Sequence, residues 1–142
     1  MLLHTIGFTQ HSAAEFFGKL RAAGIERLVD VRLNNVSQLA GFAKRGDLEF
    51  FLRELCGAEY VHELRLAPRD EDLKAYRGGK MSWAEYEAVY LATLRERRAE
   101  TMERFDKRSV LLCSEATPEQ CHRRLAAEYL RETWGDVEIV HL

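Results

Sequence analysis

The sequence predicts an α/β fold, a parallel sheet of about five strands with helices on both faces. Three observations predict it. Short apolar runs alternate with amphipathic stretches along the whole chain, the order that strand–helix units produce. The apolar runs lack strict period-two patterning, as strands buried on both faces do. A long excursion separates the third run from the fourth. With right-handed crossovers, that excursion gives a three-layer Rossmann-like sheet of order 3-2-1-4-5.

The elements follow in order. Leu2–Phe8 is the first strand. The amphipathic stretch Ser12–Ala23 opens on a capping box, Ser12 with Glu15, and Gly24 stops it. RLVDVR, residues 27–32, is a buried strand rich in valine and leucine. Residues 33–46 form a loop that is long for a strand–helix connection. Asp47 caps a helix that ends before Gly57, and EYVHEL, residues 59–64, is the third strand.

Residues 67–79 read as irregular, with one or two helical turns. Ser82 and Glu85 repeat the capping-box spacing and open a long helix to about Arg104. SVLLCSE, residues 109–115, is the strongest strand. Thr117, Pro118 and Gln120 signal a helix start, with proline at its favoured first position. That helix runs to about Trp134, and Gly135 releases the chain into a last strand, DVEIVHL.

Composition bounds the rest. The 142 residues (16.4 kDa) fit one α/β domain, 1–142, and 46% of them are hydrophobic. A chain of about 150 residues buries roughly 68–70% of its unfolded surface, enough for a core without staples. Nine glycines and two prolines exclude collagen-like and low-complexity classes. No run approaches the ~18 apolar residues of a membrane span, and the start MLLHTIGF lacks a basic leader. A membrane partner is therefore not expected.

The net charge of −2 lacks the basic excess of proteins that bind extended nucleic acid, although a local basic patch stays open. Arginine outnumbers lysine, 16 to 5, which suits anion recognition but also follows from a GC-rich genome. Three cysteines, Cys56, Cys113 and Cys121, form an odd set without a secretory signal. They read as reduced thiols in a cytoplasm.

In open parallel sheets, ligands bind outside the carboxyl ends of the strands. That edge should bring Thr5–Phe8 beside Cys113–Glu115. CSEATPEQCHRRL, residues 113–125, sits where a strand ends and a helix begins, and a helix start is a ready anion site. A thiol there, beside cations, becomes a better nucleophile. Cys113 or Cys121 is the candidate nucleophile, with His122 and Glu115 as acid–base groups. Candidate ligand-binding residues are Thr5, Gly7, Asp30, Arg32, Ser37, Gln38, Lys44 and Arg123, with Asn35 and Arg45 on the same loop and Gly41 allowing close approach.

Each residue also has a plainer reading. Cys113 and Cys121 suit ordinary packing, Glu115 suits a loop acceptor, and one of Arg123 and Arg124 suits solvated surface. Asp30 needs a partner inside its apolar strand, because an unpaired buried carboxylate costs several kcal/mol. An ion pair with Arg32 supplies one. His62 reads as a satisfied hydrogen-bonding residue. Trp83, Tyr86 and Tyr90 at helical spacing read as core, with an aromatic shelf for a base as the alternative.

A metal is not assigned. Cys121 and His122 are adjacent on the expected helix, so their side chains diverge by about 100°, leaving Cys113 with Cys121, helped by His4 or Glu115. A Cys113–Cys121 disulfide is a further alternative, outside the CxxC spacing.

TIGF (5–8), DVR (30–32), SQLAGFAK (37–44), YVHELRLAP (60–68), WAEY (83–86) and CSEATPEQCHRRL (113–125) together resemble the "domain of unknown function 488" family. The resemblance spans essentially the whole chain. The family commonly has serine or asparagine after TIG, where this chain has Phe8, and FSK or FN where it has Phe42-Ala43-Lys44. The resemblance implies a compact bacterial or archaeal α/β domain and raises the Cys113–Arg123 cluster as its site. It implies no substrate.

No GxGxxG, GK[ST] loop or GxSxG names a cofactor or a chemistry. A thiol phosphatase cradle also fails, since Arg123 lies ten residues after Cys113. The expectation is a small enzyme or nucleotide-processing domain holding a small anionic ligand at this cluster. The alternatives are a non-catalytic nucleotide or nucleic-acid binding module and a Cys/His metal site.

Overall fold

The computed structural model describes residues 1–35, 41–115 and 118–142. Its strands are β1 (Leu2–Gly7), β2 (Arg27–Asp30), β3 (Glu59–His62), β4 (Ser109–Cys113) and β5 (Glu138–His141). Its helices are α1 (Ala13–Ala22), α2 (Arg45–Phe51), α3 (Asp70–Arg77), α4 (Trp83–Arg97) and α5 (His122–Trp134). All five strands are parallel, and helices pack on both faces, as the sequence predicts.

The strand order is β3-β2-β4-β1-β5. It exchanges the two middle strands of the expected 3-2-1-4-5. Every residue of β4 is buried, Ser109 included, and the strand lies between β2 and β1. The expected contact between the ends of β1 and β4 survives, with Gly7 opposite Cys113.

Side chains divide by strand face. Leu3, Val29, Leu111 and Cys113 face a core completed by Tyr90 and Leu94 of α4 and by Leu125, Ala126 and Tyr129 of α5. Ile6, Leu28, Val110 and Leu112 face the opposite core, with Phe16, Phe17 and Leu20 of α1 and Leu48 of α2. The alternation along each strand sends neighbours to opposite layers. β2 and β1 connect through α2 and α1 on one face, whereas β4 connects through α5 on the other, so the chain diverges on both sides of the end of β4.

Both expected capping boxes form, Ser12 with Glu15 and Ser82 with Glu85. Other boundaries shift. α2 starts at Arg45, which puts Asp47 in its first turn and not at the cap, and a π-helical turn carries it to Gly57. α4 stops at Arg97 because Arg98 takes a left-handed conformation (φ 52°).

α5 begins at His122, four residues after Pro118. The carbonyls of Pro118 and Glu119 accept from the Arg124 guanidinium, at 3.2 and 3.1 Å. That side chain takes acceptors an earlier helix start would need. Among the described residues, no helix is long and apolar enough to cross a membrane.

Candidate functional site

The carboxyl ends of β1, β2 and β4 surround a cavity of about 390 Å³. Thr9 follows β1, Arg32, Leu33 and Asn34 follow β2, and Ser114 and Glu115 follow β4; Leu73, Arg77 and His122 close it. Thr9 ties two of these segments together, its N–H and its hydroxyl both donating to the Ser114 carbonyl, at 3.1 and 2.7 Å. A smaller neighbouring cavity of about 60 Å³ shares Leu73, Arg77, Ser114, Glu115 and His122 with it. Cys113, Cys121, Tyr76, Trp83 and Tyr86 also line this second space.

Arg32 is 3% exposed. Asp30, two residues earlier on the same strand face, accepts from its Nε at 2.9 Å, its Nη2 at 2.8 Å and its backbone N–H at 3.1 Å. Nη2 also donates to the Ala43 carbonyl at 2.7 Å, and the guanidinium lies 5.2 Å from the Phe8 ring centroid. Phe8, the departure from the family pattern, thus packs against Arg32.

Asp30 Oδ2, which takes the Nη2 bond, also accepts from the Tyr60 hydroxyl at 2.7 Å. Burial first, then this bond to Asp30, pushes the Tyr60 pKa well up. Arg32 is held on one side only: its Nη1 is buried and has no acceptor among the described residues. The buried pair is the partnership Asp30 needed, and it leaves part of the arginine fork for something else.

The thiol cluster lies on the other sheet face. Cys113 Sγ stands 3.4 Å from His122 Nδ1 and 3.7 Å from Nε2. Nε2 lies 2.8 Å from the Val31 carbonyl. A carbonyl only accepts, so Nε2 carries the proton and Nδ1 is left as the acceptor. The nearly equal sulfur distances put Sγ beside the ring between its nitrogens.

Burial pushes the Cys113 thiol up. The Cys121 hydrogen bond, the Ser114 and Glu115 amides and the Arg123 charge outweigh burial and hold it below the ordinary thiol value. Cys121 goes the other way, raised by burial and by its bond to Cys113. One sulfur is thus suited to lose its proton and the other to keep it.

Arg123 is fully buried, donates to Thr5 Oγ1 at 3.4 Å and to the Glu115 carbonyl, and leaves Nη2 without an acceptor. Among the described residues no carboxylate pairs with it. Thr5 in turn bonds His141 Nδ1 at 2.6 Å.

The family model described as "Domain of unknown function DUF488" matches residues 12–130. The chain belongs to the DUF488 family. No curated protein and no solved structure matches it.

In this DUF488 chain the sequence-predicted residues sort into three groups. Arg32, Cys113, Glu115, Cys121 and His122 line the joined cavities. Thr5, Gly7, Asp30 and Arg123 sit behind them as buried supports, absent from the cavity walls. Lys44 is half-buried at the start of α2 and away from both cavities. Ser37, Gln38 and Thr117 lie outside the described residues.

Gly41 approaches nothing, since a Cβ there would meet open space. Of Arg123 and Arg124, Arg124 is the more exposed and pairs with Glu128 at 2.9 Å. His62 is satisfied as expected, donating from Nε2 to the Arg32 carbonyl at 2.6 Å. Tyr86 and Tyr90 are core, and Tyr90 donates to the Leu66 carbonyl at 2.6 Å.

Sequence reasoning missed Thr9, Asn34, Leu73 and Arg77 on the wall, and Tyr60 behind Asp30. Thr9 was within reach, one residue beyond TIGF. Arg77 ends a helix from a distant segment, and nothing local to it signals the site.

Proposed function

We propose that this protein is a small enzyme that holds an anionic ligand of the phosphate class, nucleotides included, at the sheet's carboxyl edge and acts on it through Cys113. The observation that carries the reading is Arg32, a buried guanidinium in the wall of the larger cavity whose Nη1 has no acceptor among the described residues. A buried unpaired donor costs about 1–3 kcal/mol, and an oxyanion would satisfy it with the planar geometry that guanidinium favours. Exposed Arg77 adds a second positive charge at the rim, and Ser114 adds a hydroxyl donor.

The chemistry follows from the sulfur. Cys113 passes its proton to His122 Nδ1, and Sγ attacks the electrophilic centre of the held ligand. The bond to the leaving group breaks as the imidazolium gives that proton to the leaving atom. Glu115, exposed and lining both cavities, then takes a proton from the water that displaces Sγ, and returns it to the thiolate. The Val31 carbonyl keeps the imidazole in the tautomer that accepts. Nucleophile, base and orienting acceptor form the arrangement that thiol catalysis requires. Hydrogen bonds of this kind are often loose before ligand binds. The three cysteines are unpaired, which supports action in a reducing cytoplasm.

Calorimetric titration with inorganic phosphate and with a nucleoside monophosphate tests the reading, paired with iodoacetamide modification followed by peptide mass spectrometry. Binding should disappear in Arg32→Gln, and bound phosphate should slow modification of Cys113. Identical binding by Arg32→Gln would overturn the anion site. If Cys113→Ser keeps both the binding and any turnover found, the crevice is a binding module and the sulfur is not its nucleophile.

A further inference from the structure

Cys113, Cys121 and His122 place a sulfur, a second sulfur and a ring nitrogen within 4.8 Å of one another, all three residues buried. The sequence argued against this set because adjacent helical side chains diverge. Cys121 is not helical: it caps α5 in an extended conformation (φ −137°, ψ 135°), and His122 is the first helical residue. That break in the backbone lets neighbours converge. Cys121 makes no side-chain capping bond with the helix, and its sulfur lies within 4.8 Å of Cys113 Sγ.

We propose that these three residues form a site for a thiophilic divalent cation of the zinc class, with its fourth position open to the small cavity. Two thiolates and an imidazole are the donor set such cations favour. In a tetrahedral zinc centre, sulfur and nitrogen ligands stand about 3.5 Å apart, close to the 3.4 Å between Cys113 Sγ and His122 Nδ1. Metal-bound histidines usually anchor the other ring nitrogen on a carbonyl or carboxylate; the Val31 carbonyl does this at 2.8 Å.

An independent observation points into the same space. Tyr86 is 2% exposed and lines the small cavity with both cysteines and the histidine, yet its hydroxyl has no hydrogen-bond partner. A water or ligand atom at the open position of the cation would give that hydroxyl an acceptor.

The site's consequence for regulation rests on the thiol reading above. A loaded cation takes the Cys113 electron pair, so loading and nucleophilic attack exclude each other at the same atom. The cation is then a reversible block on the thiol, released when a stronger chelator competes.

Cobalt(II) added to the metal-free, reduced protein tests the site. The expected result is one cobalt per chain, with a thiolate-to-cobalt charge-transfer band and the strong visible bands of a four-coordinate centre, all displaced by zinc. Cys121→Ser and His122→Gln should each weaken cobalt binding at least tenfold. Absence of the charge-transfer band in the wild-type protein overturns the site, as does a band that persists in the Cys113→Ser, Cys121→Ser double variant. Phosphate titration of the same metal-free samples separates the two readings. Retained phosphate binding without cobalt removes only the cation site, and the reverse removes only the anion site.

Discussion

A Cβ on Gly7 would stand 1.5 Å from the carbonyl oxygen of Glu115 and 2.8 Å from Arg123 Nη1. The end of β1 and the segment after β4 touch backbone to backbone, and only glycine permits it. Gly7→Ala must therefore push Glu115 out of the cavity wall or shift β1 in its register with β4. We expect a loss of about 3 kcal/mol, at the upper end of overpacking costs. Urea denaturation checks this: the midpoint should fall while the slope stays unchanged.

The Asp30–Arg32 pair predicts strong non-additivity. Both side chains are buried, and Arg32 has no other carboxylate within reach among the described residues. Asp30→Ala leaves an uncompensated guanidinium and should cost about 3–5 kcal/mol. Asp30→Leu combined with Arg32→Met removes both charges and should cost clearly less than the sum of the single changes. Chemical denaturation of the four members of this cycle measures the difference.

Tyr86→Phe should stabilise the metal-free protein. It deletes a buried hydroxyl that has no partner, and an unmade hydrogen bond of this kind costs about 1 kcal/mol or more. A rise in melting temperature of about 2–4 °C is expected for a chain of this size. If the cation site forms, zinc should narrow the difference, because only the tyrosine gains a partner on loading. Calorimetric melting with and without zinc gives both values.

Mild acid should weaken the fold through His4. Burial, followed by the charge of Arg108, lowers its pKa from the ordinary 6.5. His141 is lowered as well, by burial and by Arg123. As pH falls through 6.5, the unfolded chain takes up these protons and the folded chain does not. Stability is therefore full above 6.5 and declines below it, until the folded-state values are passed. Urea midpoints across that interval should fall with pH, and His4→Leu should flatten part of the slope.

The two capping boxes were legible because each is a contract between residues three apart, and nothing distant competes with it. The ion pair of Asp30 was legible for a similar reason, since period two puts Arg32 on the same face. The start of α5 was not. Thr117 and Pro118 carry a local signal, but Arg124 reaches back to the carbonyls of Pro118 and Glu119, a side-chain contact no propensity encodes. The convergence of Cys121 with His122 was hidden by the same displacement. The exchange of β1 and β4 is a tertiary choice: both strands are bonded on both edges in either order, so their local patterns do not tell the two orders apart.

Strand β4 is bonded on both edges, to β1 and to β2, and all five of its residues are buried. Its amides can meet solvent deuterium only in openings that break two ladders together, and such openings approach the cost of unfolding the whole chain. Thr9 and Asn34 lie outside the ladders, and Arg77 is an exposed residue at a helix end, where openings are cheap. The sulfur of Cys113 is thus mounted on a strand protected on both edges, while Asn34 and Arg77 stand at the cavity wall outside the sheet, so the rim can rearrange around an incoming ligand while the reacting atom stays fixed.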